Sequence, residues 1–342
     1  MRVGLAGLGY WGPNLARVLS DLDSVQLEWL CDLDEDRLTR YTRRLPAARA
    51  TTDFSDLLAD DTLDAIFIAT PVFTHFELAS RSLAAGKHTF VEKPLAASAD
   101  EASELVALAA ERDLRLMCGH TFLFSPPVNA IKDLLDAGDL GDLYFISSSR
   151  VNLGLHQRDV SVVWDLGPHD FSILLHWLGE LPVTIRATGR DSVVPGIPDV
   201  AFIALTYASG LVVNVELSWL APSKLRRTVI VGSEKMVVYA DGTPEPVRIY
   251  DSGVVYSDPE SFGEYQLSYR TGEIRSPHIA TTEPLTAEVT EFLAQIRSSQ
   301  APSHDHAALA RDVVLLVELT DQSLREGGTA IDVPRSRVAP RS

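Results

Sequence analysis

The chain has no apolar run approaching the roughly twenty residues a helix needs to cross a bilayer. Its first residues, MRVGLAGLGYWG, enter a glycine motif directly and lack the layout of a signal peptide. A cytoplasmic protein without membrane association is therefore expected. Cysteine is scarce: Cys31 and Cys118 are the only two in 342 residues, too few for a disulfide framework, and each ends an apolar run as a buried thiol does. Basic residues are outnumbered, 30 Lys and Arg against 47 Asp and Glu. The formal net charge of −17 would repel a phosphate backbone, which argues against nucleic acid as a partner. A small anionic ligand is not excluded, because it answers to local groups. Internal repeats and low-complexity tracts are also missing. With 46% hydrophobic and 23% charged residues the chain is globular in composition, and its length exceeds what one core usually serves, so two domains are expected.

Residues 1–119 alternate strand-like and helix-like segments. Strands are expected at 2–6, 25–31, 64–69, 88–91 and 114–118. Between them a helix runs from Gly12 to about Ser20, and another is capped by Asp34 and carries Leu38 and Tyr41. Thr74 with Glu77, and Ser98 with Glu101, have capping-box spacing ahead of two more helices, the first ended by Gly86. The all-apolar run at 64–69 is typical of strands buried on both faces. This alternation predicts an α/β Rossmann domain, a doubly wound parallel sheet, over 1–119.

Residues 120–342 read differently, as an α+β domain with an open, mostly antiparallel sheet. Ser125-Pro126-Pro127 opens a helix ending near Gly138. Strand-like segments then follow one another at 143–152, 183–190, 200–207, 211–219, 226–232 and 235–240, with Tyr207-Ala208-Ser209-Gly210 as a hairpin connection. One helix interrupts them, Pro168 to Leu178, stopped by Gly179. Residues 244–284, rich in Pro, Gly, Ser and charge, read as loops. Helices at about 286–298 and 305–326 close the domain, and the tail after Pro334 is expected to be loose.

Gly7-Leu8-Gly9-Tyr10-Trp11-Gly12 is a full G-x-G-x-x-G. Alone it is a weak signal, but here it follows a strand, opens a helix, and is followed some twenty residues later by Asp32 at a strand end. Gly7 permits the turn, Gly9 lets the backbone approach a pyrophosphate, and Gly12 lets the helix pack close. Free N–H groups at the helix start suit phosphates. Asp32 can take the ribose hydroxyls and would repel a 2′-phosphate, so NAD is expected, with NADP left open by Arg37 nearby.

Ala69-Thr70-Pro71 and Glu92-Lys93-Pro94 both stand at carboxyl ends of expected parallel strands, where open α/β sheets bind ligands. Lysines are mostly solvated, but Lys93 follows an apolar strand and is fixed by a proline, and its ammonium can polarise a hydroxyl or carbonyl oxygen. In Trp164-Asp165-Leu166-Gly167-Pro168-His169-Asp170 the Asp165 and His169 side chains share a face if the first turn is helical. Asp165 as a plain cap and His169 as a core histidine are the bland alternatives. Oxidising a carbinol needs a base for the hydroxyl proton, and a histidine near a helix N-terminus is suited to that.

These motifs together resemble the Gfo/Idh/MocA oxidoreductases, named for glucose–fructose oxidoreductase and inositol dehydrogenase, over nearly the whole chain. The resemblance rests on Gly7-x-Gly9-x-x-Gly12, Ala69-Thr70-Pro71 with His75, Glu92-Lys93-Pro94, and Asp165-x-x-x-His169. It implies a catalytic set of Lys93, Asp165 and His169. It also implies cofactor contacts from Gly7, Gly9, Tyr10, Trp11, Gly12 and Asp32, and from Thr70, Pro71, His75, Glu92, Lys93 and His120. One departure is that Val160-Ser161-Val162-Val163-Trp164 stands where many members carry a glycine run. GYWGPNLAR and RVNLGLHQ are most similar to the nucleotide-sugar and cyclitol dehydrogenase branches. Asn152, His156 and Gln157 are candidates for sugar hydroxyls, although an ordinary polar loop reads as well. Lys224, Arg226 and Arg227 suit a diphosphate or cross-strand ion pairs. His304-Asp305-His306 lacks a third ligand of suitable spacing, so no metal is expected; Trp164, Trp177 and Trp219 read as core. The expected reaction is hydride transfer at a secondary alcohol of a sugar, nucleotide-linked by preference, or of a cyclitol. An NAD-sensing protein without catalysis and an enzyme that recycles a bound cofactor are the rivals. The resemblance further implies a homodimer or homotetramer assembled through the exposed sheet face.

Overall fold

A computed structural model describes residues 1–154, 160–256, 267–298 and 305–334. The chain divides into two units, Met1–Phe124 with Thr282–Leu315, and Ser125–Thr281 with Leu316–Ser342.

The first unit is built on six strands, β1 (Arg2–Ala6), β2 (Gln26–Cys31), β3 (Arg49–Thr51), β4 (Ala65–Ile68), β5 (His88–Glu92) and β6 (Leu116–Gly119). All neighbours are parallel, in the order β3-β2-β1-β4-β5-β6, and the order reverses beside β1, the switch point where such sheets bind ligands. Helices α1 (Gly12–Asp21), α2 (Glu35–Thr42), α3 (Phe54–Ala59), α4 (His75–Ala84) and α5 (Ala99–Glu111) connect them. Two caps match the sequence. The Asp34 side chain accepts from the Asp36 and Arg37 N–H groups, and Ser98 accepts from Glu101 N–H. Thr74 departs from its expected role: it makes no cap bond, because its hydroxyl is spent on Thr70 Oγ1 and the Pro71 carbonyl, each at 2.7 Å.

The second unit begins with α6 (Pro126–Asp136), then β7 (Leu143–Leu153) and α7 (Val162–Leu178). A run of strands follows: β8 (Thr184–Arg190), β9 (Val200–Thr206), β10 (Val212–Ser218), β11 (Leu220–Gly232), β12 (Met236–Ala240), β13 (Val247–Tyr256) and β14 (Leu267–Arg275). After α8 (Pro284–Arg297) and α9 (Asp305–Arg325), β15 (Ile331–Asp332) completes a nine-stranded sheet, ordered β14-β13-β12-β11-β7-β10-β9-β8-β15. Only the β7–β10 pair is parallel. The inward set, including Ile146, Ile203, Val213 and Val215, is fully buried, while Phe145, Phe202 and Val212 stand exposed on the other face.

Three expectations need correction. Residues 244–284 contain β13 and β14, whose polar, glycine-interrupted sequence hid strands at the outer edge of the sheet. Helix α7 starts at Val162, six residues before Pro168, which lies inside it; the proline removes one backbone hydrogen bond, and the helix runs on through it to Leu178. The single boundary at 119/120 also fails at the C-terminal side, since residues 282–315 belong to the first unit. There α8 inserts Leu285, Val289, Phe292 and Leu293 into the core containing Phe67 and Phe90, and the Phe292 ring meets both edge-on at 5.5 and 5.7 Å.

Candidate functional site

The candidate residues fall into two groups, one in each unit. In the first unit the turn from β1 to α1 is shaped by its glycines. Gly7 has φ +95°, and a Cβ there would lie 2.4 Å from the Ala69 carbonyl oxygen. A Cβ on Gly12 would lie 2.0 Å from the Gly7 carbonyl oxygen, so α1 can sit this close only with glycine at its start. Gly9, by contrast, faces open space. No side chain caps α1 and no acidic residue lies in its first turn, which leaves the helix N-terminus to an anionic group. A dinucleotide pyrophosphate fits this arrangement.

Asp32 is held at the end of β2, with Oδ2 taking the Leu8 N–H at 2.6 Å and Oδ1 the Asp34 N–H at 2.9 Å. The Arg37 guanidinium is 3.7 Å from Asp32 and 3.2 Å from Asp34. Tyr10 is almost fully exposed and its ring centroid is 6.2 Å from that of Trp11. Thr70 is half-buried and Pro71 exposed beside it.

Lys93 follows β5 directly, half-buried, with a cis peptide to Pro94. Behind it the structure assigns unexpected duties to residues read as cofactor contacts. His75 is buried, and its ring spans two backbone carbonyls, Nδ1 to Pro94 O and Nε2 to Thr70 O, both 2.8 Å. It thus ties the turn after β4 to the turn after β5, and burial lowers its pKa despite those two bonds. Glu92 is buried as well and accepts the Lys93 backbone N–H at 3.3 Å and a bond from the Trp11 side chain. Burial pushes its pKa up to about 8, against the opposing pull of Lys93. Gly119 on β6 leaves room for that carboxylate, since a Cβ would come within 3.0 Å of it. His120 is buried too, and burial drives it down to about 3 with help from His306 and Lys93, so it is a neutral imidazole at working pH. His75, Glu92 and His120 are therefore internal groups that shape the floor beneath Lys93 and offer little surface to a ligand.

In the second unit Asp165 and His169 lie one turn apart on α7, both partly exposed and flanked by buried Gly167 and Pro168. Val162 and Val163, which replace the glycine run, are wholly buried, so their bulk goes into the core. Trp219, between β10 and β11, donates its indole N–H to Asp165 Oδ2 at 3.1 Å. That indole is itself buried against Gly154, where a Cβ would fall 2.4 Å from the ring. Sequence reading placed Trp219 in the core and missed this bond, because its partner is 54 residues away. Next to His169, Asp170 pairs with Arg150 of β7 and accepts from Ser148 at 2.7 Å, all of them buried. Asn152 on β7 has a buried Oδ1 without a partner among the described residues. His156 and Gln157 lie outside the described residues. Arg226 is paired with Asp241 at 2.8 Å, a cross-strand role. His304 is outside the described residues, and His306 stacks on Phe124 at 5.7 Å; no group of three or more potential metal ligands occurs among the described residues. No helix among them is long and apolar enough to cross a membrane.

Residues 1–120 match the sequence profile of the Gfo/Idh/MocA oxidoreductase family, NAD-binding Rossmann fold, and residues 128–238 match a Gfo/Idh/MocA C-terminal domain. The UDP-N-acetylglucosamine 3-dehydrogenase of Acidithiobacillus ferrooxidans is 31% identical over 86% of this chain and 88% of its own. A solved structure of that enzyme aligns at 27% identity with a TM-score of 0.78, covering 96% of this chain and 98% of the other. The myo-inositol 2-dehydrogenase of Thermotoga maritima is 25% identical over 89% and 90% of the two chains. A parallel sheet with its glycine turn, a nine-stranded partner sheet and two matched profiles agree, and the chain belongs to the Gfo/Idh/MocA family of oxidoreductases.

Proposed function

We propose that the protein is an NAD-dependent dehydrogenase or ketoreductase acting at a secondary alcohol or ketone of a nucleotide-linked sugar. The observation that carries the sugar nucleotide is the 31% identity to a UDP-N-acetylglucosamine 3-dehydrogenase along most of both chains. A free cyclitol is the second reading, favoured by the myo-inositol 2-dehydrogenase relative. Asp32 supports NAD over NADP, because a 2′-phosphate would meet its carboxylate.

A bound nicotinamide supplies acceptance or return of a hydride at the carbinol carbon. Lys93 is assigned to polarise the reacting oxygen with its ammonium, which stabilises developing alkoxide charge. His169 is assigned to take the hydroxyl proton during oxidation and return it during reduction. Asp165, one turn from His169 on α7, is assigned to orient that histidine and is itself held by the Trp219 indole. Trp219→Phe keeps the ring but removes the N–H. It is expected to lower kcat about tenfold, the size of one lost hydrogen bond to a charged group, with NAD affinity unchanged; kcat and NAD titrations on the same sample check this.

If the substrate carries a nucleotide, UDP or TDP alone competes with it and raises the unfolding temperature of the NAD complex, whereas inositols do neither. Protection by inositols and none by nucleoside diphosphates would select the cyclitol reading. Assembly as a homodimer or homotetramer through the sheet face on which Phe145, Phe202 and Val212 are exposed belongs to the same proposal.

A further inference from the structure

The floor beneath Lys93 holds more acid than one cation can balance. Glu92 ends β5 and is 4% exposed, and Glu288 on α8 is fully buried at 0%. The groups around them are few. Lys93 and the Trp11 side chain address Glu92, Cys118 of β6 lies near both acids, and Thr121 donates to Glu288 Oε2 at 2.8 Å. His120 and His306, the nearby histidines, are both driven neutral by burial first of all. Of these groups, Lys93 alone is a charged base set against two carboxyl groups. Each carboxyl has one oxygen occupied and the other without a partner: Oε2 of Glu92 takes the Lys93 N–H, Oε2 of Glu288 takes Thr121, and both Oε1 atoms are buried and unsatisfied.

An unsatisfied buried carboxylate oxygen is costly, and two such atoms in one core call for a common remedy. Full ionisation would leave one uncompensated negative charge in a region without solvent. A proton shared between the two groups removes the charge and gives both oxygens a partner. Burial raises the pKa of both residues, and the charge of Glu92 further opposes ionisation of Glu288.

We propose that Glu288 is a neutral carboxylic acid in the working enzyme, sharing its proton with Glu92 through the two Oε1 atoms, directly or by one water. The pair fixes Glu92, and Glu92 in turn fixes the Lys93 backbone and the Trp11 ring of the glycine turn. Glu288 is accordingly a positioning residue that never touches substrate. Its catalytic consequence rests on Lys93 acting as proposed above; its protonation does not.

The experiment is a carbon-detected pH titration of the protein labelled at the glutamate side-chain carboxyl, read on wild type, Glu288→Gln and Glu288→Leu, with kcat and NAD affinity measured alongside. A wild-type carboxyl signal that remains in its protonated form at neutral pH, and is missing from Glu288→Gln, is expected. The Gln variant, whose amide donates as a carboxylic acid does, keeps kcat and NAD affinity near wild type. The Leu variant loses roughly ten- to a hundredfold in kcat, the scale of a small misplacement at an active site. Ionisation of every glutamate in the ordinary carboxylate range would overturn the proposal even if the variants did not fold. So would a Gln variant as impaired as Leu, or a Leu variant as active as wild type. Should Lys93 prove dispensable, only the assigned role of Lys93 would fall, since the titration reads the proton itself.

Discussion

Lys93→Ala lowers kcat by about a hundredfold or more, the usual range for loss of a positioned acid–base or charge-stabilising group, while NAD affinity changes by no more than about threefold. The separation follows from how position 93 is built. Its backbone N–H is bound by Glu92 and the following Pro94 carbonyl by His75, so truncating the side chain leaves the turn held. The glycine turn and Asp32, which face the pyrophosphate and ribose in this reading, are untouched. Turnover kinetics and a fluorescence titration with NAD on one preparation test it. A variant with wild-type kcat would remove Lys93 from the chemistry, whereas NAD binding without turnover in the wild type would return the protein to the sensing reading.

The second large effect is on stability. Arg150 and Asp170 form an ion pair with both side chains about 95% buried, and Ser148 donates a hydrogen bond to the same carboxylate and accepts one from Thr228 at 2.9 Å. Removing one partner strands a charge in a low-dielectric core, so Arg150→Met or Asp170→Leu should each destabilise by about 3–5 kcal/mol. The double variant should recover much of that, because no lone charge remains. Asp170 adjoins His169 on α7, so the pair also fixes the depth at which that helix sits on β7. Denaturant unfolding of the two single variants and the double variant closes the cycle. Additive losses in the double variant would mean that Arg150 and Asp170 are not energetically coupled, and would contradict this account of the pair.

The parallel sheet was legible because its strands are apolar runs bounded by glycine or polar caps, as at Ala65–Ile68 and His88–Glu92, both buried nearly throughout. The strand that escaped notice in that unit, β3, has only three residues, Arg-Ala-Thr, none of them fully buried. β13 and β14 escaped for a related reason: Asp251-Ser252-Gly253 in β13 and Arg270-Thr271-Gly272 in β14 mimic loop composition. The catalytic candidates were visible as local motifs. Their supports were not, because Trp219 and Glu288 come from distant segments. Glu288 did leave a trace, falling on the stripe Leu285, Val289 and Phe292 where α8 is otherwise apolar. A carboxylate on a buried helical face signals a partner or a proton, and only the folded chain says which. His75, read as a cofactor contact, is buried and braces two turns, a duty that no local motif announces.

The most direct test follows NAD reduction with a panel of UDP- and TDP-linked sugars, free sugars and inositols, using Lys93→Ala as the control. The account predicts turnover confined to one nucleotide-sugar class and lost in the variant. NAD binding without turnover of any substrate, or turnover that the variant retains, would contradict it.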